Sequence, residues 1–571
     1  MSEPLNQSSS KISRRALLRV AAGTTLMLTG GVAVLLQGCS TQKTTQSVAP
    51  SGKAVTSASA TFTPDVELAL TATQSTAQIL SGAPTTVWTY RGEVLKGAAN
   101  VLQTIPNAYL GPIIRVRQGQ KVRIHFKNDL PEDSIIHWHG LIVPPEMDGH
   151  PKDAVGPGQT YVYEFEVKNR AGTYWYHPHP HGRTGYQVNA GLAGLFIVSD
   201  DEEAALALPQ GDADLPLVIQ DRLFDDNQQF AYVSNRMGSM MDRMMGFLGD
   251  KFLVNGQADF HLSLATRVYR LRLLNGSNSR IYKLAWSNGL PMTVIATDGG
   301  LLEKPVQRDY VMLAPAERVE LWVDLRKQAV GTELKLQSLA YTGVEAGKMG
   351  GMTGGESALP NGEPFDILTV RVAKAEAEPL ALPAKLSTLE PYRVQDAVNR
   401  NKPRQIVLGM SSMNWTLNGK TFEMEAVTRE ETVKLGSLEV WEFINEMNMG
   451  GMNMSGGNMA GMDHGKMGNS MMQGNMANQG GMMDFMAHPI HMHGVQFQVV
   501  GREVAVDQMA DWQTVKDGFV DDGWKDTVLV MPGERVKLVM RFADYPGLYL
   551  YHCHNLEHED MGMMRNYLIK A

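Results

Sequence analysis

The 571-residue sequence has only two cysteines, Cys39 and Cys553. That excludes a scaffold stapled by disulfides. A basic excess is also missing, since 52 Lys and Arg stand against 60 Asp and Glu for a formal net charge of −8. Without surplus cations to neutralise phosphates, no nucleic-acid partner is expected. The composition is 43% hydrophobic and 20% charged, with a mean hydropathy of −0.20. Those values rule out a polytopic membrane protein and a wholly disordered chain. What the sequence has in excess is glycine, 56 residues, and methionine, 35. So many methionines exceed ordinary core filling, and they are unevenly spread.

The N-terminus reads as an address. Ser13-Arg14-Arg15-Ala16-Leu17-Leu18-Arg19 precedes a mildly apolar stretch over residues 20–36, broken by Gly and Thr. The pattern resembles a twin-arginine export signal over residues 1–38. A single membrane anchor is the alternative, disfavoured by the short, Gly- and Thr-rich stretch. Leu36-Gln37-Gly38-Cys39 resembles a lipoprotein cleavage box, although Gln37 is larger than usual there. Cys39 would then carry a lipid anchor; simple signal-peptidase cleavage nearby is the alternative. Residues 39–61, rich in Ser, Thr and Ala, read as a flexible tether. A periplasmic location follows from either cleavage. Cys553 is then the only cysteine of the folded body, and in an oxidising compartment a lone cysteine points to metal or catalytic chemistry.

Beyond residue 60 the chain alternates short β-prone runs, such as Tyr161-Val162-Tyr163-Glu164-Phe165-Glu166-Val167, with Gly, Pro, Asn and Asp turns. The period-2 alternation predicts half-buried strands, and long helical stripes are scarce. An all-β fold of sandwiches or barrels is expected. The two ends of the chain also echo each other. His137-Trp138-His139-Gly140 matches His491-Met492-His493-Gly494, and the run from Gly172 to His179 matches that from Gly547 to His554. Paired motifs in one order suggest duplicated domains. Three β-domains are expected, over 62–205, 206–378 and 379–571. The middle one, with His261 as its only histidine, reads as a spacer.

Four His-x-His pairs account for eight of the 15 histidines, and His488 and His558 lie beside them. Chance does not produce such clustering, and a metal site is the expectation. Strand side chains alternate, so His552 and His554 face one way and Cys553 the other. One tripeptide can therefore serve two metal sites joined by covalent bonds. Cys553 with two imidazoles and a long axial thioether is a blue-copper ligand set. His488, His558 and Met563 supply it by spacing, with Met561 and Met564 as rivals for the axial place.

The order HWHG, WYHPH, HPIHMHG and HCHNLEHEDMGM resembles the four copper motifs of the multicopper oxidases, over residues 88–571. The resemblance implies three cupredoxin-like domains and four coppers. It places type 1 copper on His488, Cys553, His558 and Met563, and type 2 on His137 and His491. One type 3 copper falls to His139, His177 and His554, the other to His179, His493 and His552. Asp148 and Glu559 match the family's proton-delivery positions, with solvated loop acids as the alternative. His181 is left as an outer-shell or surface residue. His125, His150 and His261 read as ordinary residues, and so does His464 unless the methionines recruit it.

Residues 447–486 hold 13 of the 35 methionines among Gly, Asn and Ser. Such a composition suits neither helix nor strand, yet thioethers suit Cu(I). The segment resembles the methionine-rich insert of the CueO-type periplasmic cuprous oxidases. Asp484 and Met486 match that group's substrate-copper positions, but the insert sits after Trp441-Glu442-Phe443-Ile444-Asn445 rather than before the corresponding strand. A second cluster, Met237, Met240, Met241, Met244 and Met245, either joins that site or packs a core. The resemblance implies a monomeric oxidase that oxidises Cu(I) and small aromatic reductants, reduces O2 to water, and detoxifies copper. The alternatives are a general laccase acting on phenols and a copper-sequestering protein without turnover.

Overall fold

The fold was analysed in a computed structural model, which describes residues 57–233, 239–344, 359–445 and 486–571. Residues 1–38, expected to be an export signal, together with Cys39, His464 and Asp484, lie outside these spans. The described part falls within one unit, Pro50–Ala571, built from six sheets that pair off along the chain.

Between residues 66 and 199, a four-stranded sheet faces a five-stranded one. The five-stranded sheet runs Leu102–Gln103, Ile113–Arg117, Gly194–Ser199, Gly172–Pro178, Ile136–His139. Seven- and five-stranded sheets follow between residues 214 and 374. Two five-stranded sheets close the chain. One of them runs Thr432–Lys434, Met564–Lys570, Gly547–Cys553, His488–Met492, Thr527–Val530. Each stretch has its own apolar core, as sheets with one apolar face require. The all-β expectation holds.

The register carries the chemistry. His137 sits opposite His177 across one antiparallel pair, and His491 opposite His552 across another. Ile490 faces Cys553 in that second pair. The two units His137-Trp138-His139 and His491-Met492-His493 each end in a glycine with positive φ, Gly140 at 84° and Gly494 at 68°. Both turns need that residue twice over. A Cβ at Gly140 would lie 2.2 Å from Asp526 Oδ2, and one at Gly494 2.6 Å from the Tyr549 ring. Such contacts add to the left-handed strain that only glycine avoids.

Candidate metal centre

Three donor atoms converge behind the strand His488–Met492. Cys553 Sγ lies 3.5 Å from His488 Nδ1 and 3.7 Å from His558 Nδ1, and the two nitrogens are 3.3 Å apart. A metal at the centre of a triangle with bonds of about 2.0–2.3 Å needs donors about 3.5–4 Å apart. The triangle fits a copper. The tautomer fits as well. His558 Nε2–H donates to the Met244 carbonyl at 2.9 Å, so Nδ1 keeps its lone pair for a metal. Met563 is fully buried in the same core cluster as Cys553, while Met564 belongs to a separate cluster with Phe422 and Leu550. Met561 only packs against the cluster's edge. Burial lowers His488 to about 3 and pushes the Cys553 thiol up. Neutral imidazoles and a thiol that only a cation would ionise make a binding site rather than an ion pair.

The second cavity is lined by eight histidines, four from each end of the chain, all at most 1% exposed. The outer nitrogens of five of them are tied down. His137 Nδ1–H donates to the Asp148 carbonyl (2.7 Å), His491 to the Asp526 carbonyl (2.8 Å) and His177 to the Pro178 carbonyl (2.9 Å). His493 Nδ1 reaches Asp148 Oδ2 at 2.7 Å, and His552 Nδ1 reaches Glu559 Oε2 at 3.1 Å. The inner Nε2 atoms then face one another as lone pairs. His137 and His491 stand 3.3 Å apart, His493 and His552 3.1 Å, His179 and His552 3.4 Å. Lone pairs at that range, in a dry cavity, repel unless a cation lies between them. Burial and neighbouring imidazoles lower His137, His139, His491, His493 and His554, and bring His177 to about 3 and His179 to about 4. The His177 Nε2 and both His554 nitrogens have no hydrogen-bond partner, as expected of groups reserved for metals.

Members of each copper set implied by the sequence resemblance lie close together, and so do donors from different sets, such as His137, His139 and His177. His137 and His491 form one close pair, and His179, His493 and His552 form a triad. The rings of His139, His177 and His554 lie 5.1–5.6 Å apart. The acids differ in state. Burial pushes the Asp148 carboxyl well up. Burial also raises Glu559, but His179 and His552 outweigh it and hold that carboxyl at about 2. Met486 is only 3% exposed and belongs to the same core as Trp415, Ile490, Cys553 and Met563. His181 is exposed against Phe422, while His150 joins the chain's two ends through Asn566 at 2.9 Å.

The middle stretch is more than a spacer. Arg318, fully buried, donates to the Thr173 carbonyl and to both Asp526 oxygens, so it ties all three parts of the chain together. Asp526 in turn lies 3.1 Å from His139 Nε2. Asn278, Ser279, Tyr232 and the Phe247 N–H all donate to the buried Glu557 beside His558. The methionine helix Ser239–Met245 supplies the Met244 carbonyl already described. Of that cluster, Met237 and the side chains of Met240 and Met241 lie outside the described residues. No histidine or cysteine marks Arg318, Asp526 or Trp415, and a backbone carbonyl has no signature in sequence.

Two family models, both described as multicopper oxidase, match residues 86–203 and 397–571. A multicopper oxidase of Staphylococcus aureus is 31% identical, over 80% of this chain and 81% of its own. A laccase of Bacillus stratosphericus is 28% identical, over 84% and 90%. The solved multicopper oxidase McoA of Aquifex aeolicus superposes with a TM-score of 0.69 at 33% identity, covering 89% of this chain and 97% of that one. A protein with this fold and these buried imidazole sets is a copper oxidase. The chain belongs to the multicopper oxidase family. Its sandwiches are cupredoxin-like, and as a family member it binds four coppers, one type 1, one type 2 and two type 3.

Proposed function

We propose that this oxidase takes electrons from Cu(I) at the Cys553 site and passes them to O2, with copper detoxification as its purpose. Bound copper supplies the one-electron redox chemistry. His488, Cys553, His558 and Met563 would hold type 1 copper, and the eight cavity histidines the other three ions in the sets above. Cys553 is joined through its own backbone to His552 and His554, the shortest covalent path between the two regions. Asp148, in contact with His493, and Glu559, in contact with His552, would relay the protons that turn O2 into water.

The observation that carries the Cu(I) reading is the gathering of soft donors around the electron entry. Met486 is buried in the same core as Cys553 and Trp415, Met244 of the methionine helix meets His558 through its carbonyl, and the 13 methionines of residues 447–486 end two residues before His488. Thioethers bind Cu(I) in preference to harder ions. Asp484 and Met486 serve as substrate-copper ligands in this reading, with Met486 acting from inside the core. We also propose domain boundaries near 205 and 378, export through the twin-arginine signal to the periplasm, a lipid anchor at Cys39, and a monomer. The laccase relative supports a second reading, in which small phenols are the main donors.

Oxygen uptake with Cu(I) and with a phenol, on the full chain and on a variant lacking residues 449–482, separates the two. Loss of Cu(I) turnover at limiting copper, with phenol turnover kept or raised, supports the Cu(I) oxidase. Unchanged Cu(I) turnover puts the laccase first.

A further inference from the structure

Trp415 is the aromatic wall of the Cys553 site. Its ring lies 4.5 Å from His558 and 4.8 Å from His488, centroid to centroid, and it is 1% exposed. The indole N–H donates to the Met244 carbonyl at 2.9 Å. That same oxygen receives His558 Nε2–H at 2.9 Å. One carbonyl therefore takes two donors, one from a copper-binding imidazole and one from the ring that covers it.

The carbonyl is free for this because Met244 stands in the last turn of Ser239–Met245, where helix carbonyls lack partners of their own. Its position is held on the C-terminal side. Gly246 follows with φ at 91°, and a Cβ there would meet Asn555 and Ser279 at 2.4–2.5 Å. Phe247 N–H donates to Glu557 Oε2 at 2.8 Å, one residue from His558. Trp415 itself is set by a tight hairpin between Arg404–Ser411 and Asn414–Leu417. Its loop residues Ser412 and Met413 have φ of 50° and 66°, a cost that side chains other than glycine seldom bear.

We propose that Trp415 is a positioning residue for type 1 copper: it shares the Met244 carbonyl with His558, shields both imidazoles, and so keeps the potential of that site high. The reasoning rests on the reading of Cys553 as the type 1 site. A carbonyl that already accepts the indole N–H pulls less on the His558 proton. The imidazole then donates less charge to the metal, and Cu(II) is stabilised less. The apolar ring acts in the same direction, because a dry surround disfavours the more highly charged ion.

The test uses the copper-loaded enzyme and a redox titration followed at the blue absorption band. Trp415→Phe keeps a ring and removes the N–H; Trp415→Leu removes both. The potential should fall in Trp415→Phe and fall further in Trp415→Leu, with copper content unchanged. Trp441→Phe is the control. Trp441 is fully buried in the same core, and its N–H goes to Glu439 instead. That variant should lower the melting temperature without moving the potential. An unmoved potential in Trp415→Phe, or an equal shift in Trp441→Phe, would reduce Trp415 to core packing. Should Trp415→Leu fail to fold, Trp415→Phe decides. A wild-type enzyme without blue colour would instead overturn the type 1 reading itself.

Discussion

The two metal-binding regions are built on different principles. The eight-histidine cavity takes four rings from residues 137–179 and four from residues 491–554, so neither end of the chain makes it alone. Its rings are steered by backbone carbonyls and carboxylates at their outer nitrogens. The Cys553 site takes all its side-chain donors from residues 488–563, and the middle stretch contributes supports: the Met244 carbonyl and the groups that hold Glu557 beside His558. One region is a long-range assembly and the other is largely local. The cavity should therefore depend on the contacts that join the chain's parts, and the Cys553 site on the packing of one sandwich.

Ligand changes separate the regions most sharply. His552→Ala should cut O2 consumption by more than about 100-fold, since even outer partners of a metal ligand are worth 10–100-fold, while the blue band remains. His558→Ala should lose the blue band and keep copper in the cavity. Absorption spectra and copper content check both, and the same outcome from both variants would erase the distinction.

The joints come next. Arg318→Met leaves Asp526 buried without its cation, while Asp298 keeps Lys525 at 3.1 Å; the loss should cost about 3–5 kcal/mol and release His139 from Asp526. Copper loss should begin in the cavity while the blue band survives longer. Thermal melting with copper analysis along the transition reads that order; blue copper lost first would contradict it.

Proton handling belongs to the cavity alone. Asp148→Asn and Glu559→Gln should keep all copper and the blue band but slow reoxidation of the reduced enzyme by about 100-fold. Stopped-flow mixing of reduced enzyme with O2 measures this. Reoxidation at the wild-type rate in both variants would return these acids to a structural role.

Weaker still is the pH dependence of the metal-free protein. His177 and His488 are lowered by burial to about 3 and His179 to about 4, against about 6.5 unfolded. Below about 6.5 the unfolded chain takes up protons that the native rings refuse, so stability falls as pH drops. Each ring costs about 1.4 kcal/mol per pH unit. Cys553 acts at the other end. Burial raises its thiol, so stability is present below about 8.5 and is lost as the unfolded thiol ionises above that. Melting temperatures across pH 4–10 should peak between these limits, and a flat profile would contradict the buried neutral ligands.

The proposed ligands were legible because strand alternation puts both histidines of His-x-His on one face and Cys553 on the other. The duplicated motifs also told which ends of the chain must meet. What holds the ligands was not legible. Met244 acts through its backbone, which carries no residue-type signal. Arg318 and Asp526 are single charges separated by 208 residues, and nothing local distinguishes Arg318 from surface arginines. Trp415 reads as a core tryptophan until the fold brings it over His558. Met486 was legible as a soft donor by position, but its burial in the core it shares with Trp415 and Ile490 was not.

The most direct test of the two-region account is Cys553→Ser, read by copper per chain, visible spectrum and O2 uptake on one sample. The account predicts three coppers, no blue band and no turnover with Cu(I) or phenol, in a folded protein whose cavity copper still gives its own signal. A Cys553→Ser protein that stays blue, or that consumes O2 at the wild-type rate, would contradict it.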